Sequence, residues 1–466
     1  MTNKNQTENS RRTFLKKSSV IGMGVILGVD AIDDSIAAPA IQPGLSIATF
    51  DIDATPPIGS TLAYDPMEND WDLGLRAKGA VLVGAGKPIV MCAIDWIGIA
   101  NESQDVFKQT LADAVLTDPK RVVVHTLHQH DAPGCDFSAE KALKEMGMEP
   151  GRFESSFARE FLTRLGKAAK DSLSGLRPVT DISIGKAPVD EVASNRRIVK
   201  NGKVEATRFT ACRDVALRNE PEGLIDPDVT SIGFWDGEKP VAIMTFYATH
   251  PQSYYRTKTA NPDFPGVARF YRQLAIPDAL HIHFAGAGGN IGAGKYNDGS
   301  PENRMILAGR LANGMERAWK NSVKMAVTAG DVAWKTEPVS LPVANEFIRQ
   351  VEKALETSDK QFISSNISKM IWAKNTRTGK TIDLACLRVG KARVLFVPGE
   401  LFVEYQLAAK AFRPDLAVSV AAYGEYGPSY IGVKEAYSQG GYEIEVSPVL
   451  PDVEAVLMNA IRKLLT

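Results

Sequence analysis

Three stretches of the chain repeat one order of elements: a β-hairpin, a polar loop, a helix, and a strand that runs into a second polar loop. Their apolar runs and turn residues are typical of buried strands joined by tight turns. If the three units pack with their strand ends together, their polar loops meet at one place. The alternative is that short patterns of this kind recur by chance in an α/β protein. The predicted hairpins span residues 80–94, 230–248 and 384–397, the helices 107–116, 265–274 and 401–412, and the closing strands 122–128, 280–284 and 416–421.

The recurrence predicts an α/β fold of the mixed α+β kind, in which mixed β-sheets are covered by helices and three hairpin-helix-strand units converge on one site. The intervening segments 139–173 and 345–374 have helical spacing, whereas 194–219 is polar and rich in loops. We interpret these segments as insertions that shape a pocket. Because no Pro-, Gly- or Ser-rich linker divides the chain, residues 41–466 are predicted to form a single large domain.

The first 40 residues differ in character from the rest. The pair Arg11-Arg12 precedes a weakly apolar run over residues 20–29 and the small residues of 37–40. This order resembles a twin-arginine export signal, and the alternative is a basic tail that leads into a short helix. We expect residues 1–40 to be a signal peptide recognised by the Tat export machinery. The mature protein would then be periplasmic or otherwise extracytoplasmic in a bacterium.

The composition excludes several classes of partner. With 54 basic and 55 acidic residues the formal net charge is -1, which gives no broad electrostatic footprint for nucleic acid or anionic lipid. A small-molecule substrate is the expected partner. No stretch after the signal is long and apolar enough to span a bilayer, so we expect no transmembrane anchor in the mature protein. The oligomeric state is left open.

The cysteines give no metal or redox motif. The four are far apart and form no CxxC pair, which argues against a zinc ribbon. Cys92 and Cys386 are predicted to be small core residues in strands. Disulfides are permitted outside the cytoplasm, but the sequence assigns none.

The placement of the 6 histidines points to one site. Because strand side chains alternate, His128 and His130 are expected to face one side of the strand that ends there, and His125 the other. Catalytic zinc takes His and carboxylate ligands and keeps one position open for water. His128, His250 and Glu400 each stand at a predicted strand end and fit that need. The alternative for each histidine is a hydrogen-bonded core residue.

Several short motifs together carry a resemblance to a known family. In order and spacing they are similar to the neutral/alkaline ceramidase family, over its N-terminal catalytic domain, from about Leu45 to Glu443. The matching segments are 127–134, which resembles the family's His-Thr-His-Ser-Gly-Pro-Gly; 195–196, its Asn-Arg; 248–251, its Ala-Val-His; 397–400, its Pro-Gly-Glu; and 430–442, which has the spacing of its two tyrosines.

The resemblance implies roles for particular residues. His130 and Tyr442 would face the substrate carbonyl and the charge that develops on it, and Arg196 would orient a polar group of the substrate. Tyr430 as a packed aromatic and Arg196 as a surface charge are the alternatives. Four residues would bind a zinc ion: His128, His250, Glu400 and Tyr430. Four are the expected catalytic residues: His130, Tyr442, Arg196 and Asn290. Three are expected at the substrate: Asp131, Gly289 and Gly292.

The chain departs from the family at Gly292, where the ceramidases have a serine. Because glycine has no side chain to attack a carbonyl, we expect attack by metal-activated water instead. Backbone N–H groups of the glycine-rich turn would be free to bind an oxyanion or a sugar hydroxyl, the alternative being a plain tight turn. Asp131 and Asp95 are candidates for moving the proton. The segment 294–299 is polar and the family's C-terminal immunoglobulin-like domain is expected to be missing, so ceramide is not the expected substrate.

The sequence therefore predicts an exported zinc-dependent hydrolase that cleaves an amide or ester bond of a small polar or sugar-like substrate. A zinc-dependent lyase or isomerase acting on a carbohydrate, with His283 or Asp263 as base, is one alternative. A non-catalytic ligand-binding relative is another.

Overall fold

Three β-sheets form the framework of the computed structural model, which describes residues 44–466. The helices of this range are α1 (Glu102–Val115), α2 (Phe137–Glu145), α3 (Ser156–Ser172), α4 (Val215–Asn219), α5 (Asp263–Ala275), α6 (Glu302–Lys320), α7 (Asn345–Glu356), α8 (Lys360–Arg377), α9 (Val403–Phe412), α10 (Lys434–Gln439), α11 (Tyr442–Glu445) and α12 (Val453–Leu465). The strands are β1 (Ser46–Asp53), β2 (Arg76–Gly84), β3 (Gly86–Ile94), β4 (Gly98–Ile99), β5 (Val122–Thr126), β6 (Gly134–Cys135), β7 (Arg177–Pro178), β8 (Asp181–Pro188), β9 (Ser194–Asn195), β10 (Arg197–Lys200), β11 (Lys203–Thr207), β12 (Asp228–Asp236), β13 (Lys239–Tyr247), β14 (Leu280–Ala285), β15 (Ile291–Gly292), β16 (Val323–Ala326), β17 (Val332–Val339), β18 (Ile382–Val389), β19 (Ala392–Phe396), β20 (Glu400–Leu401), β21 (Ala417–Ala421) and β22 (Tyr430–Ile431).

Each large sheet contains one of the three predicted units. The strand orders are β5-β3-β2-β1-β7, β14-β13-β12-β8-β16 and β17-β18-β19-β21. The hairpins β2-β3, β12-β13 and β18-β19 are antiparallel. A helix then crosses over to a strand that lies parallel to the second hairpin strand: β3 with β5, β13 with β14, and β19 with β21. The predicted mixed fold of three hairpin-helix-strand units is confirmed.

The three sheets share one apolar core. Phe284 of the second sheet stacks on Phe246 at a ring-centroid distance of 5.4 Å and meets Phe396 of the third sheet at 6.0 Å. His125 of the first sheet is buried against the same rings, 5.3 Å from that of Phe396, and its Nδ1 hydrogen-bonds the Ala422 carbonyl at 2.7 Å. His125 is therefore a buried core residue.

The cysteines and insertions agree with expectation in most respects. Cys92 and Cys386 are buried in strands, and all four cysteines are free. The helical segments predicted over 139–173 and 345–374 are confirmed as α2 with α3 and α7 with α8. The segment 194–219, predicted to be loop-rich, instead contains the β10-β11 hairpin, whose strands pair antiparallel.

Residues 44–466 belong to one compact unit. Among the helices of this range, none is long and apolar enough to cross a membrane. The export signal predicted over residues 1–40 lies outside the described residues and stays a prediction.

A buried ion pair joins the end of β3 to helix α5, beside the converging loops. Arg269 on α5 donates to both carboxylate oxygens of Asp95, at 2.7 and 2.6 Å, and the two side chains are 4% and 0% exposed. The backbone carbonyl of Asp95 in turn accepts a hydrogen bond from Gln129, between the two histidines of the loop. The pair thus holds this loop in place.

We expect Arg269→Met to lower the free energy of unfolding by about 3–5 kcal/mol, because it leaves the Asp95 carboxylate buried and unpaired. The control is Lys463→Met, which breaks an exposed pair with Glu337 and should cost at most about 1 kcal/mol. Urea denaturation measures both variants. Equal losses in the two would show that the buried pair does not stabilise the loop.

Candidate metal centre

His128 lies in the loop directly after β5. Its backbone φ is +68°, a left-handed conformation that breaks the alternation of a strand. The expectation that His128 and His130 share a strand face was therefore wrong: β5 ends at Thr126. The loop still brings the two rings together, with centroids 5.3 Å apart. The Nδ1 of His128 hydrogen-bonds the Ile97 carbonyl at 2.6 Å, which leaves Nε2 free of a proton to act as a ligand.

His250 and Glu400 come from the ends of the other two hairpins. His250 follows β13, and its Nδ1 hydrogen-bonds the Gly288 carbonyl at 3.3 Å, so its Nε2 is also free. Glu400 begins β20, which pairs in parallel with β22 and so sets Glu400 beside Tyr430. The Oε2 of Glu400 lies 3.3 Å from His128 Nε2 and 3.7 Å from His250 Nε2. Three loops thus supply three converging donor atoms.

The donor set fits a divalent metal ion. Tetrahedral ligands about 2.0–2.1 Å from zinc lie roughly 3.3 Å from one another, close to the separations from Glu400 to the two imidazoles. A third imidazole is near, because the ring nitrogens of His128, His130 and His250 all lie within 4.8 Å of one another. The Nε2 of His130 is buried and has no hydrogen-bond partner in residues 44–466. An imidazole and carboxylate set of this kind suits zinc.

The electrostatics of the cluster favour neutral His130 and His250 side chains beside a charged carboxylate. Burial lowers the pKa of His130 and of His250 well below the usual range, and the neighbouring His128 adds to this effect. Burial alone would raise the pKa of the Glu400 carboxyl, but the facing His128 and the hydroxyls of Tyr426 and Tyr430 outweigh it and lower that pKa. Neutral imidazoles and an ionised carboxylate are the forms that bind a metal.

Tyrosines surround the cluster, and two of them carry contacts that sequence reasoning missed. The Tyr426 hydroxyl donates to Glu400 Oε1 at 2.9 Å, and the Tyr64 hydroxyl hydrogen-bonds His130 Nδ1 at 3.0 Å. Tyr426 lies in the polar loop after β21, so its position in the chain was a usable signal. Tyr64 lies in an irregular segment far from every motif, and nothing local marks it.

Arg196, Tyr430 and Tyr442 are brought together next to the cluster. Arg196 is 4% exposed, so it is not a surface charge, and its Nη1 donates to the Tyr430 hydroxyl at 3.2 Å. Its Nε lies 3.3 Å from the buried carboxylate of Glu443. Tyr442 packs edge-on against the Tyr430 ring, with centroids 5.8 Å apart, and is itself exposed to solvent.

Three predicted polar residues use their side chains elsewhere. The Asn290 amide accepts from Val403 N at 2.9 Å and donates to Glu404, so it holds the start of α9. The carboxylate of Asp131 accepts from Arg256 N and Thr257 Oγ1, at 2.7 and 2.8 Å. These contacts tie two loops together. Asp95 is committed to its ion pair with an arginine. None of these three lines the cavity at the cluster, as far as residues 44–466 define it.

The two predicted glycines contact backbone and side chains rather than the cavity. A Cβ at Gly289 would lie 2.2 Å from the carbonyl oxygen of Glu400, so glycine is needed there for close approach. At Gly292 a Cβ would lie 2.6 Å from the methyl group of Thr210 and 3.4 Å from the Arg196 stem. Position 292 therefore has no room for a side chain unless its neighbours shift.

The bases considered for a lyase or isomerase have their side chains hydrogen-bonded within the protein. His283 lies within β14, where its Nδ1 hydrogen-bonds Thr245 Oγ1 at 2.9 Å, and burial lowers its pKa to about 3. The Asp263 carboxylate accepts from Ser253 N and Phe264 N at the start of α5. Neither residue lines the cavity that the described chain forms at the cluster.

A cavity of about 340 Å³ opens onto the cluster. Among the sequence-predicted site residues, five line it: His128, His130, Glu400, Tyr430 and Tyr442. The insertions contribute to its wall as expected, through 152–153 and 365–369. Its volume is at the small end of the range for ligand pockets, which suits a compact substrate.

The Pro-Gly-Glu turn depends on its glycine. Gly399 has a φ of +60°, and a Cβ there would lie 2.6 Å from the Ser429 carbonyl oxygen. Gly237 has a similar φ of +57° with nothing within 4 Å of its Cβ position, so Gly237→Ala is a matched control for backbone strain alone.

We expect Gly399→Ala to cost about 1–3 kcal/mol more in free energy of unfolding than Gly237→Ala, because it adds a backbone clash to the same strain. The clash would also move Glu400 and weaken metal binding. Thermal unfolding and metal titration measure the two effects. Identical behaviour of the two variants would show that the turn does not position the carboxylate.

No family model and no curated protein matches the chain. Solved structures similar to it include neutral ceramidase from Pseudomonas aeruginosa and a ceramidase complexed with C2. Each superposes with a TM-score of 0.66 at 15% sequence identity over 91% of this chain, and the match covers 74% and 75% of those chains. At this identity the likeness establishes the fold alone. The chain has a ceramidase-like fold, with three histidines placed to hold a metal ion.

Proposed function

We propose that the protein is an exported, zinc-dependent hydrolase that cleaves the amide bond, or an ester bond, of a small polar substrate with metal-activated water. The convergence of His128 Nε2, His250 Nε2 and Glu400 Oε2 carries this proposal, since three separate loops supply ligand atoms at zinc-like spacing. The ceramidase-like fold supports amide hydrolysis over other metal-dependent reactions. Zinc and export rest on the sequence and on the donor chemistry.

His128, His250 and Glu400 would hold the ion, with Tyr430 as the fourth ligand. When bound there, zinc would polarise a carbonyl group and lower the pKa of a water molecule towards about 7. The hydrogen bonds from Nδ1 of His128 and of His250 to backbone carbonyls fix the orientation of these two imidazoles. The hydrogen bond from the Tyr426 hydroxyl fixes the Glu400 carboxylate. Such supporting contacts keep the ligand atoms in place before the ion arrives.

His130 is the proposed proton carrier. It is neutral, its Nε2 is free, and Tyr64 holds its other nitrogen. In hydrolysis the water oxygen joins the acyl carbon as the C–N bond breaks, and one water proton passes through His130 to the departing nitrogen. The products are a carboxylic acid and an amine.

Arg196 and Tyr442 are the proposed stabilisers of the charge that develops on the carbonyl oxygen. Arg196 is buried beside Tyr430, where a fixed positive charge acts at low dielectric. Because Gly292 lacks a side chain and the space for one, the chain offers no serine nucleophile there. Metal-activated water is the proposed nucleophile.

Turnover of matched compounds by the purified, zinc-loaded protein tests the function. We expect N-acyl amides to yield amine and carboxylic acid in equal amounts, and keto-sugars to remain unchanged. Rearrangement or elimination of a sugar would contradict hydrolysis. Tight retention of a ligand at full metal occupancy without turnover would identify a binding protein instead.

A further inference from the structure

Two cationic side chains line the same cavity as the metal cluster. Arg152 follows α2, and Lys369 lies on α8, so both belong to the insertions between the repeated units. Both are cations without a free electron pair and so are not metal ligands. Among the cavity's lining residues, as the described chain defines them, the one carboxylate is Glu400. Its charge is committed to the metal centre.

Neither cation has a carboxylate partner within residues 44–466. Arg152 Nη2 donates to the Ser365 carbonyl at 3.0 Å, and Lys369 Nζ donates to the Val446 carbonyl at 3.2 Å. Both partners are neutral. Two unpaired positive charges in one cavity therefore lack a counter-charge.

The two charges also act on each other. Burial lowers the pKa of the Lys369 amino group to about 8, and the nearby Arg152 charge adds to this effect, while Glu400 opposes it. At neutral pH the amino group is still mostly protonated. An anion that enters the cavity would remove this repulsion and gain charge-assisted hydrogen bonds from the ammonium and from the planar guanidinium fork.

We propose that the substrate carries a carboxylate that pairs with Arg152 and Lys369 while the bond to be cleaved lies at the metal cluster. This inference rests on the proposed function, since it names the substrate class of that same site. The two insertions would then determine which substrates bind, and the three repeated units would supply the residues for hydrolysis. A phosphonate or sulfonate shares the required charge and is a second arm of the test.

The test compares anilides of equal length in the zinc-loaded full chain. Succinyl and 3-phosphonopropionyl p-nitroanilides carry a terminal anion, and butyryl p-nitroanilide does not. N-acetyl-β-alanine carries its carboxylate on the amine side of the bond instead, and its primary amide is the neutral partner. We expect kcat/KM to be at least about tenfold higher for a charged member than for its neutral partner. Equal values within both pairs would overturn the proposal.

Two variants and one control assign the preference to these side chains. Lys369→Met and Arg152→Met should each reduce the preference for the anion by about tenfold, mainly through a higher KM for the charged substrate. Lys374→Met removes an exposed lysine from the same helix and should change nothing. Lys369→Glu should abolish the preference, because the new carboxylate would neutralise Arg152. Equal losses for charged and neutral substrates would mean that the two residues are only structural.

Calorimetry with glutarate and neutral glutaramide separates failure of this inference from failure of the proposed function. Glutarate binding that weakens in Lys369→Met, without turnover of any amide, would support the anion site and contradict the hydrolase. Amide turnover without any preference for an anion would contradict the anion site alone. Absence of both binding and turnover would overturn both.

Discussion

Replacing Glu400 with glutamine should reduce zinc affinity by at least about 100-fold, since even loss of a contact that only supports a ligand costs 10–100-fold. Amide turnover at limiting zinc should fall in parallel. The substitution keeps the size of the side chain and removes only its charge. Glu400 is the one carboxylate within 4 Å of both His128 Nε2 and His250 Nε2 in the described structure, so no other carboxylate replaces it.

The matched control is Glu425→Gln, which changes a second buried glutamate in the adjoining loop. Glu425 Oε1 accepts from Asn101 N and Gly427 N at 2.9 and 2.8 Å, contacts that a glutamine oxygen also makes. Burial raises the pKa of the Glu425 carboxyl to about 7, so the neutral side chain is already tolerated there. We expect it to bind zinc normally. Metal analysis and competition with a chelator measure both variants, and full zinc content in Glu400→Gln would overturn the ligand assignment.

Replacing Arg196 with methionine should lower kcat by about 10²–10³, the loss typical of removing one donor to a developing oxyanion. At saturating zinc the protein should still hold one ion per chain, because Arg196 contacts Tyr430, the proposed fourth ligand, and Glu443, but not His128, His250 or Glu400. Steady-state kinetics with a fixed amide substrate measures the effect. The expected change lies in kcat rather than in KM.

Arg197→Met provides the comparison for Arg196→Met. Arg197 also pairs with Glu443, at 3.3 Å, but its other contacts are with Ala436 and Gln439, away from the cavity. Both variants leave one arginine on the buried carboxylate, so their stabilities should fall by similar amounts. If kcat also falls equally in both, the role of Arg196 is structural and acts through Glu443.

The framework was predictable because its pattern is local and repeated. Each hairpin combines strong apolar runs with a short turn, and a parallel closing strand follows from the intervening helix. His250 and Glu400 could be located because each follows a strand whose end is well marked. His128 was located for the same reason, although its left-handed backbone broke the alternation that was used to orient it.

The rest of the site depends on contacts that no local pattern records. Whether Asn290 faces a substrate or holds the start of α9 is decided by where α9 packs. The Asp131 carboxylate likewise accepts a hydrogen bond from a loop more than 100 positions further along the chain. Tyr64, Arg152 and Lys369 reach the cavity from irregular or inserted segments, and only the tertiary fold brings them there.

The most direct test of the metal-dependent centre is stepwise reconstitution. The full chain is stripped with a chelator and titrated with zinc while amide turnover is followed. Turnover should be absent from the stripped protein, rise linearly and reach its maximum at one zinc ion per chain. Turnover that survives complete removal of metal, or that does not respond to zinc, would contradict the assignment of His128, His250 and Glu400 as the centre of the reaction.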